Sequence, residues 1–249
     1  FLLTSDEEGE ATYGTNAMLD WLKENVIDFA LDFAVVGEPS CKHRIGDQIA
    51  LGRRGSANFN LVIHGRQGHV AYQDEAINPN HIMVNTLKDL IDLQLDTPND
   101  FLAPSNLEIT SIDVNNNVTN LIPQSSAAKF NIRYNKSFSI GQLLQTIDQV
   151  IAKHTDNYSL NYTNSAEPFF NEENRFIKSF ANVIKEELDL LPAYITSGGT
   201  SDARFIIKHC PVMEFGALYK LAHQVNESIS IDDIQSLYKI YHNFLHDVL

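Results

Sequence analysis

Thr4-Ser5-Asp6-Glu7-Glu8-Gly9 places three consecutive acids after the apolar run Phe1-Leu2-Leu3 and closes them with a glycine. An apolar run, then acids, then glycine predicts a buried strand that leads into a tight turn. In an open α/β sheet, ligands bind at the carboxyl ends of strands. Carboxylates crowded there lose water and repel one another, so they need a cation or a shared proton. Two adjacent acids can then divide the work, one as an oxygen ligand to a metal and one as a general base. A solvated acidic turn is the alternative. The same design recurs downstream, where Phe33-Ala34-Val35-Val36 reads as a strand that runs into Gly37-Glu38-Pro39-Ser40. Pro39 biases Glu38 away from helical geometry.

Further elements follow in order. Residues 14 to 25 predict a helix with Ala17, Met18, Trp21 and Leu22 on its apolar face. Residues 45 to 51 read as a strand ahead of Gly52-Arg53-Arg54-Gly55-Ser56. Two arginines between glycines in an acidic protein suggest an anion site, since guanidinium pairs bidentately with carboxylate. A surface turn with solvated arginines is the alternative. Residues 58 to 64 alternate as a strand and 80 to 94 have helical spacing. Strands follow at 107 to 112 and 129 to 134, then a helix capped by Ser139 and a strand at 158 to 162. This β-α-β-β-α-β order is the ferredoxin-like arrangement. Residues 1–54 and 168–249 therefore read as one α/β domain, and 55–167 as an inserted α+β unit able to build a dimer. In the last part, residues 174 to 190 predict a helix and Ser197 to Arg204 a Gly-rich polar loop. A strand at 212 to 215 precedes a final helix capped by Ser230 or Asp232.

The chain has 249 residues and a net charge of −14, from 18 basic and 32 acidic side chains. That balance disfavours nucleic acid and anionic membrane surfaces as partners. No apolar run approaches the roughly 20 residues of a membrane span. Cys41 and Cys210 form neither a disulfide framework nor a zinc-knuckle spacing, which suits a reducing cytoplasm. The chain opens without Met inside an expected strand, and this predicts the C-terminal portion of a longer protein.

Nine histidines compete for a chemical role. His242 and His246 have the i, i+4 spacing of a helical metal pair but lack the acid that motif requires. His69 stands beside a glycine in Gln67-Gly68-His69-Val70-Ala71-Tyr72, where it could lend an N–H to an oxyanion. His223 follows the Gly-rich loop. With Glu8 and Glu38 it makes a mixed nitrogen and oxygen donor set that zinc accepts, about half of what a two-metal site requires.

These stretches occur in series with Asn120-Leu121-Ile122-Pro123, Phe130-Asn131-Ile132-Arg133, Gly198-Gly199-Thr200-Ser201-Asp202-Ala203-Arg204-Phe205 and His223-Gln224-Val225-Asn226-Glu227. Together, and over the whole chain, they resemble the succinyl-diaminopimelate desuccinylases, a branch of the two-zinc family of deacylases and exopeptidases. The resemblance implies a zinc-hydrolase catalytic domain, incomplete at its N-terminus, with an inserted ferredoxin-like lid that forms a homodimer. It implies metal-assisted hydrolysis of a succinyl amide with two zinc ions, cobalt being a possible substitute. Glu7 matches the general base. Glu8 and His223 match ligands of one ion and Glu38 a ligand of the other. A second histidine and a bridging aspartate of the family have no match here. His69 matches the residue that stabilises the oxyanion, with Tyr72 beside it. Arg53, Asn120, Arg133, Gly199, Thr200 and Arg204 match positions that grip the substrate. The sequence departs from the family at Gln73-Asp74, where a proline and a histidine are usual, and at Tyr219, where an asparagine is usual. Both departures bear on substrate choice, so an acetylornithine-type deacylase or an aminopeptidase is the alternative within the class. Outside it, the unmatched ligands leave an inactive fragment serving only as a dimerisation module.

Overall fold

The computed structural model describes all residues except Glu10, 97–102, Gly198 and Thr200. The chain divides into two compact units. One holds Phe1–Arg53 and Phe169–Leu249; the other is built from Arg54–Asn99 and Pro104–Pro168.

The first unit is a mixed sheet with helices. Its strands are β1 (Ala34–Val36), β2 (Gln48–Arg53), β9 (Phe169–Phe170), β10 (Ala193–Ser197) and β11 (Val212–Glu214). They run in the order β1-β11-β2-β10, with β9 also pairing β2. β1 is parallel to β11 and β10 to β2, while β11 meets β2 antiparallel. Helix α4 (Arg175–Leu188) starts at Asn174, whose side chain accepts from the N–H groups of Phe176 and Ile177. It buries Ile177, Phe180, Val183 and Ile184 against Ile49, Leu51, Met213 and Phe215. After the short helix α5 (Ala203–Ile206), helix α6 (Ile231–Val248) is capped by Ser230, not Asp232, and adds Ile240 and Phe244 to that core.

Two expectations fail here. Phe1–Leu3 do not form a buried strand: Leu3 is 85% exposed and the sheet has no strand in this segment. A strand exists through the neighbour it pairs with, and apolar composition alone supplies none. Helix α1 (Thr15–Asn25) forms as expected but turns another face inward. Leu19 is 3% exposed and packs with Ala203, Ile206 and Val212, whereas Trp21 is 59% exposed.

The second unit has the ferredoxin-like layout. Strands β3 (Gly55–His64), β5 (Asn106–Asp113), β7 (Ser125–Tyr134) and β8 (Tyr158–Ala166) form one sheet in the order β5-β7-β3-β8. Every neighbouring pair is antiparallel. The period-2 pattern puts Phe59, Leu61 and Ile63 on the same buried side as Phe130 and Ile132. Helices α2 (Pro79–Ile91) and α3 (Ile140–Ala152) cover that side with Met83, Leu87, Leu90, Leu143, Ile147 and Ile151. Two short strands, β4 (Gly68–His69) and β6 (Leu121–Ile122), pair separately.

Ser139 starts α3 with a reciprocal cap. Its hydroxyl accepts from the Gln142 N–H, and the Gln142 side chain accepts from the Ser139 N–H at 2.9 Å. Ser139→Ala should therefore cost about 1 kcal/mol of unfolding free energy. Urea titration followed by circular dichroism checks this, and an unchanged midpoint would remove the cap from the account.

Candidate active site

The acidic turn is organised by its first acid. The Asp6 carbonyl accepts from the N–H groups of Gly9 and Ala11, both at 3.2 Å. Its carboxylate accepts from the Tyr13 N–H at 2.8 Å. Asp6 is thereby occupied in shaping the loop. Glu7 is left half-buried and Glu8 exposed, and both line a cavity of about 590 Å³ in the first unit. Glu38, Arg53, Gly199, Tyr219 and His223 line the same cavity.

Glu38 arrives two residues past the end of β1. Gly216 permits this approach, since a Cβ there would lie 2.6 Å from the Glu38 carbonyl oxygen. His223 has a backbone φ of +61°, a left-handed conformation uncommon for a residue with a side chain. Such strain costs about 1–3 kcal/mol and persists where the surroundings enforce it, often at functional sites. The N–H of His223 donates to Glu227 Oε2 at 3.1 Å, which ties the turn.

The electrostatics are those of crowded acids. Burial pushes the Glu7 carboxyl above its usual range, and the charges of Glu38, Glu8 and Asp202 push it further. Burial likewise raises Glu38, against the pull of the Arg53 guanidinium. Arg53 is a cation in direct contact with these acids. Its Nε donates to Glu214 at 2.8 Å and 2.7 Å, and its Nη2 donates to Glu38 Oε2 at 3.1 Å. The anions expected near the paired arginines are thus, for Arg53, the protein's own carboxylates.

Glu214 was not legible as a site residue. It is 0% exposed at the end of β11, accepts from the Ser201 hydroxyl, and is pushed upward by burial against the pull of Arg53. One signal pointed to it: a lone acid in the otherwise apolar run Val212-Met213-Glu214-Phe215 needs a buried cation.

Arg204 does not line the cavity. Its guanidinium lies 4.7 Å from the centre of the Phe205 ring, and its Nε is buried without a hydrogen-bond partner among the described residues. Thr200 lies outside the described residues.

His69, Tyr72, Asn120 and Arg133 belong to the second unit. The Ala71 N–H donates to His69 Nδ1 at 3.1 Å, so a neutral ring carries its proton on Nε2. The Asn120 amide lies 3.4 Å from that Nε2, and the Tyr72 ring centre is 5.7 Å from the imidazole. Arg133 is on β7, and its charge joins burial in holding Arg54 below the usual arginine range. The Asp96 carboxylate offsets part of this.

The donor set of the cavity wall fits a divalent cation in its chemistry, with carboxylate oxygens and one imidazole. Among the described residues, no three His, Cys, Asp or Glu side chains converge closely enough to hold one.

The chain is similar to known proteins along its whole length. Residues 51–159 match the model of a peptidase dimerisation domain. The chain is 45% identical to a succinyl-diaminopimelate desuccinylase of Rickettsia bellii (strain RML369-C), covering 100% of this chain and 64% of that protein. A relative of the same name from Orientia tsutsugamushi (strain Ikeda) is 46% identical, covering 98% and 63%. The chain thus spans less than two thirds of these relatives. Among solved structures, aminopeptidase PepT from Bacillus cereus superposes with a TM-score of 0.75 at 15% identity, over 98% of this chain and 63% of its own. An M20 family metallo-carboxypeptidase from Sulfolobus solfataricus gives 0.68 at 16% identity, over 96% and 68%. Over its whole length the chain is thus similar to the succinyl-diaminopimelate desuccinylases, and residues 51–159 are similar to a peptidase dimerisation domain.

Proposed function

We propose that this protein hydrolyses the amide of N-succinyl-LL-2,6-diaminopimelate to succinate and LL-2,6-diaminopimelate, in lysine and peptidoglycan-precursor biosynthesis. The observation that carries the reading is double: similarity along the whole of this chain to proteins of that name, and one cavity shared by Glu7, Glu8, Glu38 and His223. Glu8 and His223 would hold one divalent cation and Glu38 another, zinc or cobalt. When bound, such cations polarise a carbonyl and lower the pKa of water.

The remaining work falls to this chain's side chains. Glu7 takes the proton of the attacking water and passes it to the leaving amine. Its upward-shifted carboxyl suits a base that must release that proton again. His69 lends its Nε2–H to the oxyanion in the active site of the partner subunit, a role supported by the hydrogen bond that occupies Nδ1. Arg133 is assigned to the substrate's carboxylates on the resemblance. Asn120, Tyr72 and Gly199 complete the substrate contacts, and Thr200 and Arg204 stay with them on the resemblance alone. The peptidase dimerisation domain supports a homodimer built through residues 55–167. The biosynthetic role and two unbridged cysteines support a cytoplasmic home, and no described helix is long and apolar enough to cross a membrane.

The test is a substrate panel on the full-length protein. Zinc-dependent release of succinate from N-succinyl-diaminopimelate should outpace deacylation of acetylornithine and cleavage of dipeptides. Faster turnover of acetylornithine would move the protein to the neighbouring activity, consistent with its departures at Gln73-Asp74 and Tyr219.

A further inference from the structure

Glu214 is the most deeply buried carboxylate near the cavity, yet it does not line it. A charge at 0% exposure is costly unless paired, and an apolar residue between Met213 and Phe215 would pack without that cost. The pairing it makes is directional. Both carboxylate oxygens accept from Arg53 Nε, at 2.8 Å and 2.7 Å, and one also accepts from the buried Ser201 hydroxyl. This fixes the edge of the guanidinium nearest its own backbone. Nη2 meets Glu38 Oε2 at 3.1 Å, and Nη1 lies 2.7 Å from where a Cβ on Gly199 would sit. Glycine at 199 is what leaves room for that position.

We propose that Glu214 is a positioning residue: it clamps Arg53 so that Arg53 holds the Glu38 carboxylate in a fixed orientation for a divalent cation. The inference rests on the reading of Glu38 as a cation ligand. It assigns Arg53 to the protein's own ligand in place of the substrate. Carboxylate ligands are generally oriented by hydrogen bonds from behind, and loss of such a partner weakens metal binding about 10–100-fold.

The experiment uses the full-length protein, titrated with Zn²⁺ against a competing chelator, with the visible absorption of the Co²⁺-loaded form as a second readout. Glu214→Gln should weaken Zn²⁺ binding about 10–100-fold and alter the Co²⁺ spectrum. Its KM for substrate at saturating Zn²⁺ should stay within about twofold, since uniform substrate binding is untouched. Ser201→Ala keeps every charge and serves where Glu214→Gln does not fold; it should weaken binding in the same direction by a smaller factor. Unchanged Zn²⁺ affinity and spectrum in the folded variant would overturn the proposal. So would a raised KM at unchanged affinity, which would make Arg53 a substrate grip. A wild-type protein that bound no Zn²⁺ would overturn the underlying reading of Glu38, and would do so before any variant was compared.

Discussion

Arg53→Met should destabilise the first unit by about 3–5 kcal/mol, because it strips the cation from a buried carboxylate and leaves the charge behind. Arg53 is 7% exposed and Glu214 0%. Methionine keeps much of the stem's volume, so the loss is electrostatic in origin and not a cavity effect. Glu38 loses its partner in the same step, and it is already pushed upward by burial. Without the lowering charge of Arg53, both carboxyls rise further. A carboxyl raised in the folded state contributes stability that is complete below its unfolded value, near 4.5 for these residues. That contribution is lost as pH rises through the folded value. The deficit of Arg53→Met should therefore be largest at neutral pH and shrink toward pH 5. The double variant Arg53→Met/Glu214→Gln should recover part of the loss at pH 7.5, since removing both partners is far cheaper than removing one. Trp21, the single tryptophan, lies on α1 in the first unit, so its fluorescence during urea unfolding reports the relevant transition. A loss below about 1 kcal/mol, the range of an exposed ion pair, would show that this pair is not the buried clamp described.

What could be read from residue order and what could not divide along a physical line. The second unit was legible because its signals are local. Phe59, Leu61 and Ile63 alternate, α3 carries its own cap at Ser139, and each pattern holds whatever lies beyond it. Phe1–Leu3 misled because a strand needs a neighbour, and no property of three apolar residues provides one. Helix α1 misled for a related reason. Leu19 and Trp21 both have plausible inward faces, and only the packing of Ala203 and Val212 decides between them. Among the acids read as candidate site residues, Glu38 does follow a strand while Glu7 and Glu8 follow none, yet all three line one cavity. Arg53 was read as a grip for an external anion. Its carboxylate partner Glu214 is 161 residues away, and a pairing of that span leaves no periodic trace.

Glu7→Gln in the full-length protein should lower turnover about 10²–10⁴-fold, the usual worth of a positioned general base, while making the fold more stable at neutral pH. The second half follows from the same charges as the first. Burial, then Glu38, Glu8 and Asp202, make an ionised Glu7 unfavourable where it sits, and Arg53 offsets only part of this. Because the folded value is raised, wild type loses this contribution as pH climbs through it, whereas the glutamine variant has no such titration. The stability advantage of Glu7→Gln in metal-free protein should therefore be small near pH 4 and grow toward pH 8. Added divalent cation should narrow it, since an ion among these carboxylates relieves the repulsion that the substitution removes. This pairing separates a lost base from a damaged fold, because a variant that merely unfolded would lose activity and stability together. It also sets catalysis against stability at one side chain, the pattern expected where an active site keeps charges in an unfavourable setting. Denaturant midpoints across that pH range, measured beside initial rates of succinate release, test both halves. Near-wild-type turnover would remove Glu7 from the chemistry, and a variant less stable than wild type at pH 8 would mean that the crowding of these acids is not what governs the site.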